Sequence, residues 1–177
     1  MRADEAGKLA DLYGTEVYRF CLRLSGSRPD GEDLYQQTFL RLLEMQAVPD
    51  WNRNPRAFLF SVAHGIWRNL RRKQMRRERI APEISAEEPG FVISASVDTE
   101  EQVLVRMREA DIRHAVQNLP DRYRLPVILF YTFGLKTEDI AVVLKVPSGT
   151  VKSRLHKGRA LIRQRLEEIG YEQPERV

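Results

Sequence analysis

The sequence is poor in the residues on which many kinds of protein chemistry depend. Its 177 residues include one cysteine, Cys21. A single thiol excludes an internal disulfide framework and a cysteine-based zinc site. Cys21 falls on the apolar side of a helical pattern, where it reads as a small buried hydrophobe. The three histidines, His64, His114 and His156, are scattered and lack metal-ligand spacing. No apolar run approaches the roughly 20 residues of a membrane-spanning helix, and Met1–Gly14 is charged, without the apolar core of a secretion signal. The expectation is therefore a cytoplasmic chain with no membrane insertion. There is no glycine-rich phosphate loop, no nucleophile–base–acid set, no internal repeat and no alternating strand pattern. An enzyme reading has no positive support, and neither a metal nor any other cofactor is expected.

What the chain does have is charge arranged in blocks. Between Arg68 and Arg79 seven bases (Arg68, Arg71, Arg72, Lys73, Arg76, Arg77, Arg79) face one acid. From Ile80 to Glu101 there are six acids and no base, and from Asp121 to Arg165 ten bases against three acids. Two basic blocks across an acidic spacer point to two separate contacts with a polyanion.

Helical periodicity fills the remainder. Leu9, Leu12, Tyr13, Val17, Phe20, Cys21 and Leu24 form a stripe from about Glu5 to Ser25. The segment from Gly26 to Gly31 interrupts it. A second helix follows, with Glu32 and Asp33 in its first turn and Leu34, Thr38, Phe39, Leu42 and Leu43 towards a core. Its outer face carries Asp33, Gln36, Gln37 and Arg41, either a solvated surface or a polar docking surface. Residues 47–56 read as a loop rich in Asn and Pro. A third helix starts near Pro55, carries Phe58, Leu59, Val62, Ala63, Ile66 and Leu70, and runs into the basic block. Trp51, Phe58, Phe60 and Trp67 gather at its front. Most suit a core, but aromatics beside a cationic helix are also what a single-stranded nucleic-acid site uses, rings stacking on bases while Arg and Lys hold phosphates. Residues 80–100 read as a flexible acidic linker containing the apolar patch Phe91-Val92-Ile93.

Beyond the linker, Glu100–Asn118 has Val103, Leu104, Met107, Ile112, Ala115 and Val116 as its apolar positions. Arg122–Thr132 reads as one helix closed by Gly134, with Pro126 tolerable in its first turns. The stretch from Leu135 to Arg159 then reads helix, turn, helix. Thr137 suits an N-cap, and Glu138 and Asp139 favour the first turn. Ile140, Val143 and Leu144 make an apolar face. Val146 to Gly149 breaks the pattern, with Ser148 as a cap and Gly149 freeing the backbone. Val151, Leu155 and Ile162 mark the buried side of the second helix. Lys152, Ser153, Arg154, His156, Lys157 and Arg159 lie mostly on its other sides. A basic, hydrogen-bonding helix after such a turn describes a reader of the DNA major groove. The fold class is all-α: two small helical domains, residues 1–79 and 101–177, joined by the linker.

Three stretches, in this order, resemble the extracytoplasmic-function (ECF) group of bacterial RNA polymerase sigma factors. Asp30–Arg41 (DGEDLYQQTFLR) is similar to the region-two helix that binds core polymerase. Ala57–Arg72 is similar to the promoter-opening helix that follows. Leu119–Arg124 with Gly149–Leu155 (GTVKSRL) is similar to region four. The resemblance implies that Asp33, Gln36, Gln37 and Arg41 bind the β′ subunit, although the family often has an acid at the position of Gln37. It implies that Trp51, Asn52, Arg53 and Asn54, with Arg68, Asn69, Arg71 and Arg72, handle the opened −10 element. Lys152, Ser153, Arg154, His156 and Lys157 would face the −35 duplex. Implied partners are the RNA polymerase core (β′ and β subunits), promoter DNA and an anti-sigma factor. The competing reading from another class is a helix-turn-helix regulator that binds duplex DNA without acting as a polymerase subunit. A third, an RNA-binding adaptor, lacks a recognisable site.

Overall fold

The computed structural model describes residues 3–45, 54–80 and 100–170. All regular structure among these residues is helical. The helices are α1 (Ala3–Ser25), α2 (Arg28–Glu44), α3 (Pro55–Ile80), α4 (Glu100–Gln117), α5 (Asp121–Val127), α6 (Thr137–Leu144) and α7 (Ser148–Glu168). The helices form two compact units, one built on α1–α3 and one on α4, α5, α7 and the first half of α6, with residues 142–145 grouped with the first. Residues 81–99, where a flexible linker is expected, lie outside the described residues.

The first unit closes around residues that share one side of each helix. Leu9, Val17, Phe20, Cys21 and Leu24 of α1 are buried, as are Leu34, Thr38 and Leu42 of α2 and Ala57, Leu59, Phe60 and Ala63 of α3. The Phe20 and Phe60 ring centroids are 4.5 Å apart. Leu12 departs from the expected stripe and is 72 % exposed. At about 100° per residue it points roughly 140° away from Val17, so its apolar character does not bring it inside. Leu43 likewise turns away from Leu42 and is exposed, and Leu70 of α3 is exposed too.

The junction between α1 and α2 is tighter than expected. Gly26, at φ 82°, ends α1, and Ser27 caps α2, its Oγ accepting from the Asp30 N–H at 3.3 Å. Pro29 is tolerated in this first turn because its missing donor would have had no helical partner. The helix thus begins at Arg28, and Gly31 lies inside it, buried. A Cβ on Gly31 would meet Leu22 Cδ2 at 2.7 Å and Leu22 Cα at 3.0 Å. Helix propensity alone favours Ala over Gly by about 1 kcal/mol, but the backbone atom cannot yield as a side-chain tip can. Gly31→Ala is expected to destabilise the protein by about 1–3 kcal/mol, read as a lower urea midpoint at unchanged m-value.

Cys21 packs in this junction beside Thr38, whose hydroxyl donates to the Leu34 carbonyl at 2.7 Å. Burial pushes the Cys21 thiol up to about 12 from an ordinary 9.0, with the Thr38 hydroxyl acting weakly in the opposite direction. The neutral thiol is the form the fold accommodates. Its contribution to stability is complete below pH 9 and is lost as pH rises through the folded value. At about pH 8.5 iodoacetamide should label Cys21 readily in urea and hardly at all in the native protein, because the thiolate is the nucleophile. Native labelling as fast as in urea would refute this burial.

Ile140, Val143 and Leu144 of α6 are buried as the periodicity requires, and so are Val151, Leu155 and Gly158 of α7. Gly158 takes the place expected for Ile162, which is only half-buried. A Cβ there would approach Val127 Cγ2 to 2.9 Å, so α5 and α7 meet at a bare backbone. The expected single helix over Arg122–Thr132 changes type midway. Pro126 supplies no backbone donor, and after Val127 the chain continues as a π-helical turn, Ile128–Thr132, with the Phe133 N–H donating to the Ile128 carbonyl at 3.3 Å. Gly134, at φ 63°, closes it.

Candidate functional site

The exposed side of α2 is fixed by what anchors the opposite side. Leu34, Thr38 and Leu42 point inward, so Asp33, Gln36 and Arg41 are exposed and Gln37 is half-buried. Gln37 Nε2 donates to Asp33 Oδ2 at 2.5 Å, and Arg41 pairs with Glu44 at 3.2 Å. The helix is also tied to α1. Tyr18 Oη donates to Glu32 Oε1 at 3.1 Å, and Arg28 Nε donates to the same oxygen at 2.8 Å. Arg28 first, then Tyr18, hold the Glu32 carboxyl below the usual range. This outer face is expected to be polar throughout, yet Leu40 is 59 % exposed and Leu43 46 %. Leu40 follows Gln36 by four residues and Gln37 by three, so helical spacing alone places it among them. The face is mixed, with apolar area between hydrogen-bonding groups.

Trp51, Asn52 and Arg53 lie outside the described residues. Asn54 acts locally, its Oδ1 accepting from the Ala57 N–H at 3.0 Å and so capping α3. Arg56 pairs with Glu16 of α1 at 3.0 Å. Phe60 is fully buried, which removes it from any base-stacking role. The guanidinium of Arg71 lies 5.5 Å from the centre of the Trp67 ring. Arg68 to Arg77 are exposed without interruption, so cations project on every side of this part of α3. Arg72 donates to Asn69 Oδ1 at 3.0 Å.

In α6 and α7 the turn is made differently from the expectation. Thr137 and Ser148 are the first residues of their helices rather than caps. The Lys136 carbonyl accepts from Ile140, Pro147 precedes α7, and no side chain caps α7. Gly149 is helical. The residue in the left-handed region is Lys145, at φ 55°. Lys152, Ser153, His156 and Lys157 are exposed, while Arg154 is half-buried. The Ser153 hydroxyl donates to the Thr150 carbonyl at 3.0 Å. The Glu138 carboxyl is held low by its own backbone N–H, then by the Thr137 hydroxyl and more weakly by Lys152 and Lys136.

Among the described residues no group of three or more His, Cys, Asp or Glu could hold a metal ion, and no helix is long and apolar enough to cross a membrane. The candidate surfaces are one mixed face on α2 and the exposed basic sides of two helices, α3 and α7.

Two family models match these surfaces, Sigma-70 region 2 over residues 9–77 and Sigma-70 region 4 over residues 109–162. The ECF RNA polymerase sigma factor SigL of Mycobacterium tuberculosis is 32 % identical over 163 residues, covering 92 % of this chain and 89 % of that protein. This chain belongs to the ECF family of RNA polymerase sigma factors. SigW of Bacillus subtilis is 27 % identical over 170 residues, covering 94 % of this sigma factor and 91 % of its own length. SigE of Mycolicibacterium smegmatis is 34 % identical over 160 residues, with 90 % and 60 % covered. The fold is shared with the sigma factor RpoE in its complex with the anti-sigma factor NepR from Bartonella quintana, at a TM-score of 0.76 and 22 % identity, covering 93 % of this chain and 98 % of that one. The region-two match thus takes in α2 and the exposed cations of α3, and the region-four match takes in α6, its turn and most of α7. The chain is an alternative RNA polymerase sigma factor, and a regulator acting on duplex DNA alone is not favoured.

Proposed function

We propose that this sigma factor docks on core polymerase through the α2 face and contacts a promoter at two places. Asp33, Gln36, Gln37 and Arg41, with Leu40 and Leu43 between them, meet the β′ subunit. Residues 51–54 and the cations of α3 from Arg68 onward hold the opened −10 strand. The outer side of α7 enters the major groove of the −35 duplex, and the α4–α7 unit meets the β subunit. Residues 1–79 and 101–177 act as the two functional domains on either side of the 80–100 linker. One observation above all supports this: a mixed docking face and two separate exposed basic helices occur in one chain that contains region 2 and region 4.

The chemistry is recruitment and strand capture, with no bond made or broken by this chain. Phosphate contacts supply affinity and make it salt-dependent. Base edges in the groove supply register and selectivity. Each unstacked base held against a ring contributes about 1–3 kcal/mol to the opened state. The factor acts in the cytoplasm. The similar RpoE is bound by the anti-sigma factor NepR, and here too an anti-sigma protein covers the binding surfaces until a signal releases them. Purified chain added to core polymerase on genomic DNA should start transcripts at a defined set of sites. Failure to bind core, with tight sequence-specific binding to duplex alone, would sink the proposal.

A further inference from the structure

The basic residues of α7 are not equivalent, and the structure divides them. At about 100° per residue, Lys152, His156, Arg159 and Arg163 fall within roughly 60° of one another, along one flank of the helix. Ser153 and Lys157 lie on the side opposite the buried Val151, Leu155 and Gly158, about 100° further round. All six are exposed. A helix about 10–12 Å across fills a major groove about 12 Å wide. Its outermost side then meets base edges, while its flanks meet the walls, which are phosphate backbone.

Tyr131, on the π-helical turn, lies beside this flank. It is 57 % exposed, and its hydroxyl accepts from Arg159 Nη1 at 3.4 Å. A neutral hydroxyl orients the guanidinium without cancelling its charge. On the other flank Arg165 pairs with Glu168 at 2.9 Å. Acids mark both ends of the first flank. Glu138 interacts with Lys152, and Glu167 follows Arg163 by one turn. Arg159 and Arg163 lie between these ends.

We propose that Lys152, His156, Arg159 and Arg163 form a phosphate rail along one strand of the −35 duplex, distinct from the base-reading side at Ser153 and Lys157, and that Tyr131 is the positioning residue for Arg159. This rests on the reading of α7 as the −35 reader. The rail adds affinity without sequence preference. Lys157 does the opposite.

The test uses holoenzyme formed from the full chain and core polymerase. A pool of random-sequence duplexes is selected for binding and sequenced, and the salt dependence of affinity is measured on a selected duplex. Arg159→Gln combined with Arg163→Gln keeps the aliphatic stems and should make the slope of log K against log[salt] less negative by about 1.8, or 0.9 per lost contact. The selected bases should not change. Tyr131→Phe should give a smaller loss of affinity, again without altering the selected bases, whereas Lys157→Ala should relax the selection. An unchanged salt slope in the double variant, or altered base selection by it, overturns the rail and leaves the −35 reading standing. A wild-type holoenzyme that selects no sequence through α7 removes that reading and the rail together.

Discussion

Phe60→Ala is expected to destabilise the α1–α3 unit by about 3–5 kcal/mol, the range for deleting a fully buried aromatic ring. Phe60 and Phe20 are both fully buried and stack at 4.5 Å. Removing the ring loses both transfer energy and the contacts of its neighbour. The cavity would open beside Phe20 in a core of fully buried side chains, and close-packed surroundings relax only partially into such a space. Whole domains are stable by about 5–15 kcal/mol, and this single change consumes a large part of that margin. Hydrogen exchange at the core amides of α1 and α3 should accelerate by about 100-fold or more, while that of α5 and α7 changes much less. Equal acceleration in both units would mean that they unfold as one, contrary to the expectation of separate stability.

The second large effect concerns binding. Asp33→Arg combined with Arg41→Glu should lower affinity for core polymerase by about 100-fold or more, because like charges brought together at an interface cost several kcal/mol. Neither residue is buried in the free protein, so the fold should persist, and a normal thermal transition is the control. Loss of the Gln37–Asp33 hydrogen bond and the Arg41–Glu44 pair matters little by itself, since exposed pairs contribute at most about 1 kcal/mol. Binding of the isolated chain to −35 duplex should be unchanged. Unaltered core affinity would show that the docking face has been misassigned. Leu40→Ala is a useful companion: it removes apolar area from the same face without altering charge.

Helix number and order are legible in the sequence because apolar spacing is strong in α1, α2, α6 and α7. Ile140, Val143 and Leu144 are buried as their spacing requires, and so are Val151 and Leu155. Some departures follow from strict spacing at about 100° per residue, and others come from effects that apolar spacing does not carry. Leu12 and Leu43, expected towards a core, are exposed, and Leu40 adds apolar area to a face expected to be polar. Gly31 and Gly158 are core residues because two backbones approach there, and a glycine in a hydropathy pattern reads as a break. Pro126 is tolerated inside α5, and the π turn that follows at Ile128–Thr132 has no signature in the apolar pattern. Gly149 is the natural candidate for the special backbone position before α7, but the left-handed residue is Lys145. The exposed faces of α2 and α7 on which the proposed docking and −35 contacts rest are readable from helical spacing. The contact of Tyr131 with Arg159, across 28 residues of sequence, is not.

The exposed run from Arg68 to Arg77 has a consequence for how this protein responds to its ligand. Arg68 and Arg72, Arg72 and Arg76, and Lys73 and Arg77 each stand one turn apart, and like charges at that spacing oppose the helix by about 0.2–0.5 kcal/mol per pair. Little burial offsets this beyond Trp67. The final turns of α3 are therefore an electrostatically tensioned spring, and a polyanion laid along them relieves the tension. On the proposed reading of α3 as a strand-holding helix, binding and local folding are one equilibrium: added salt should firm the free helix by screening while it loosens the grip on DNA.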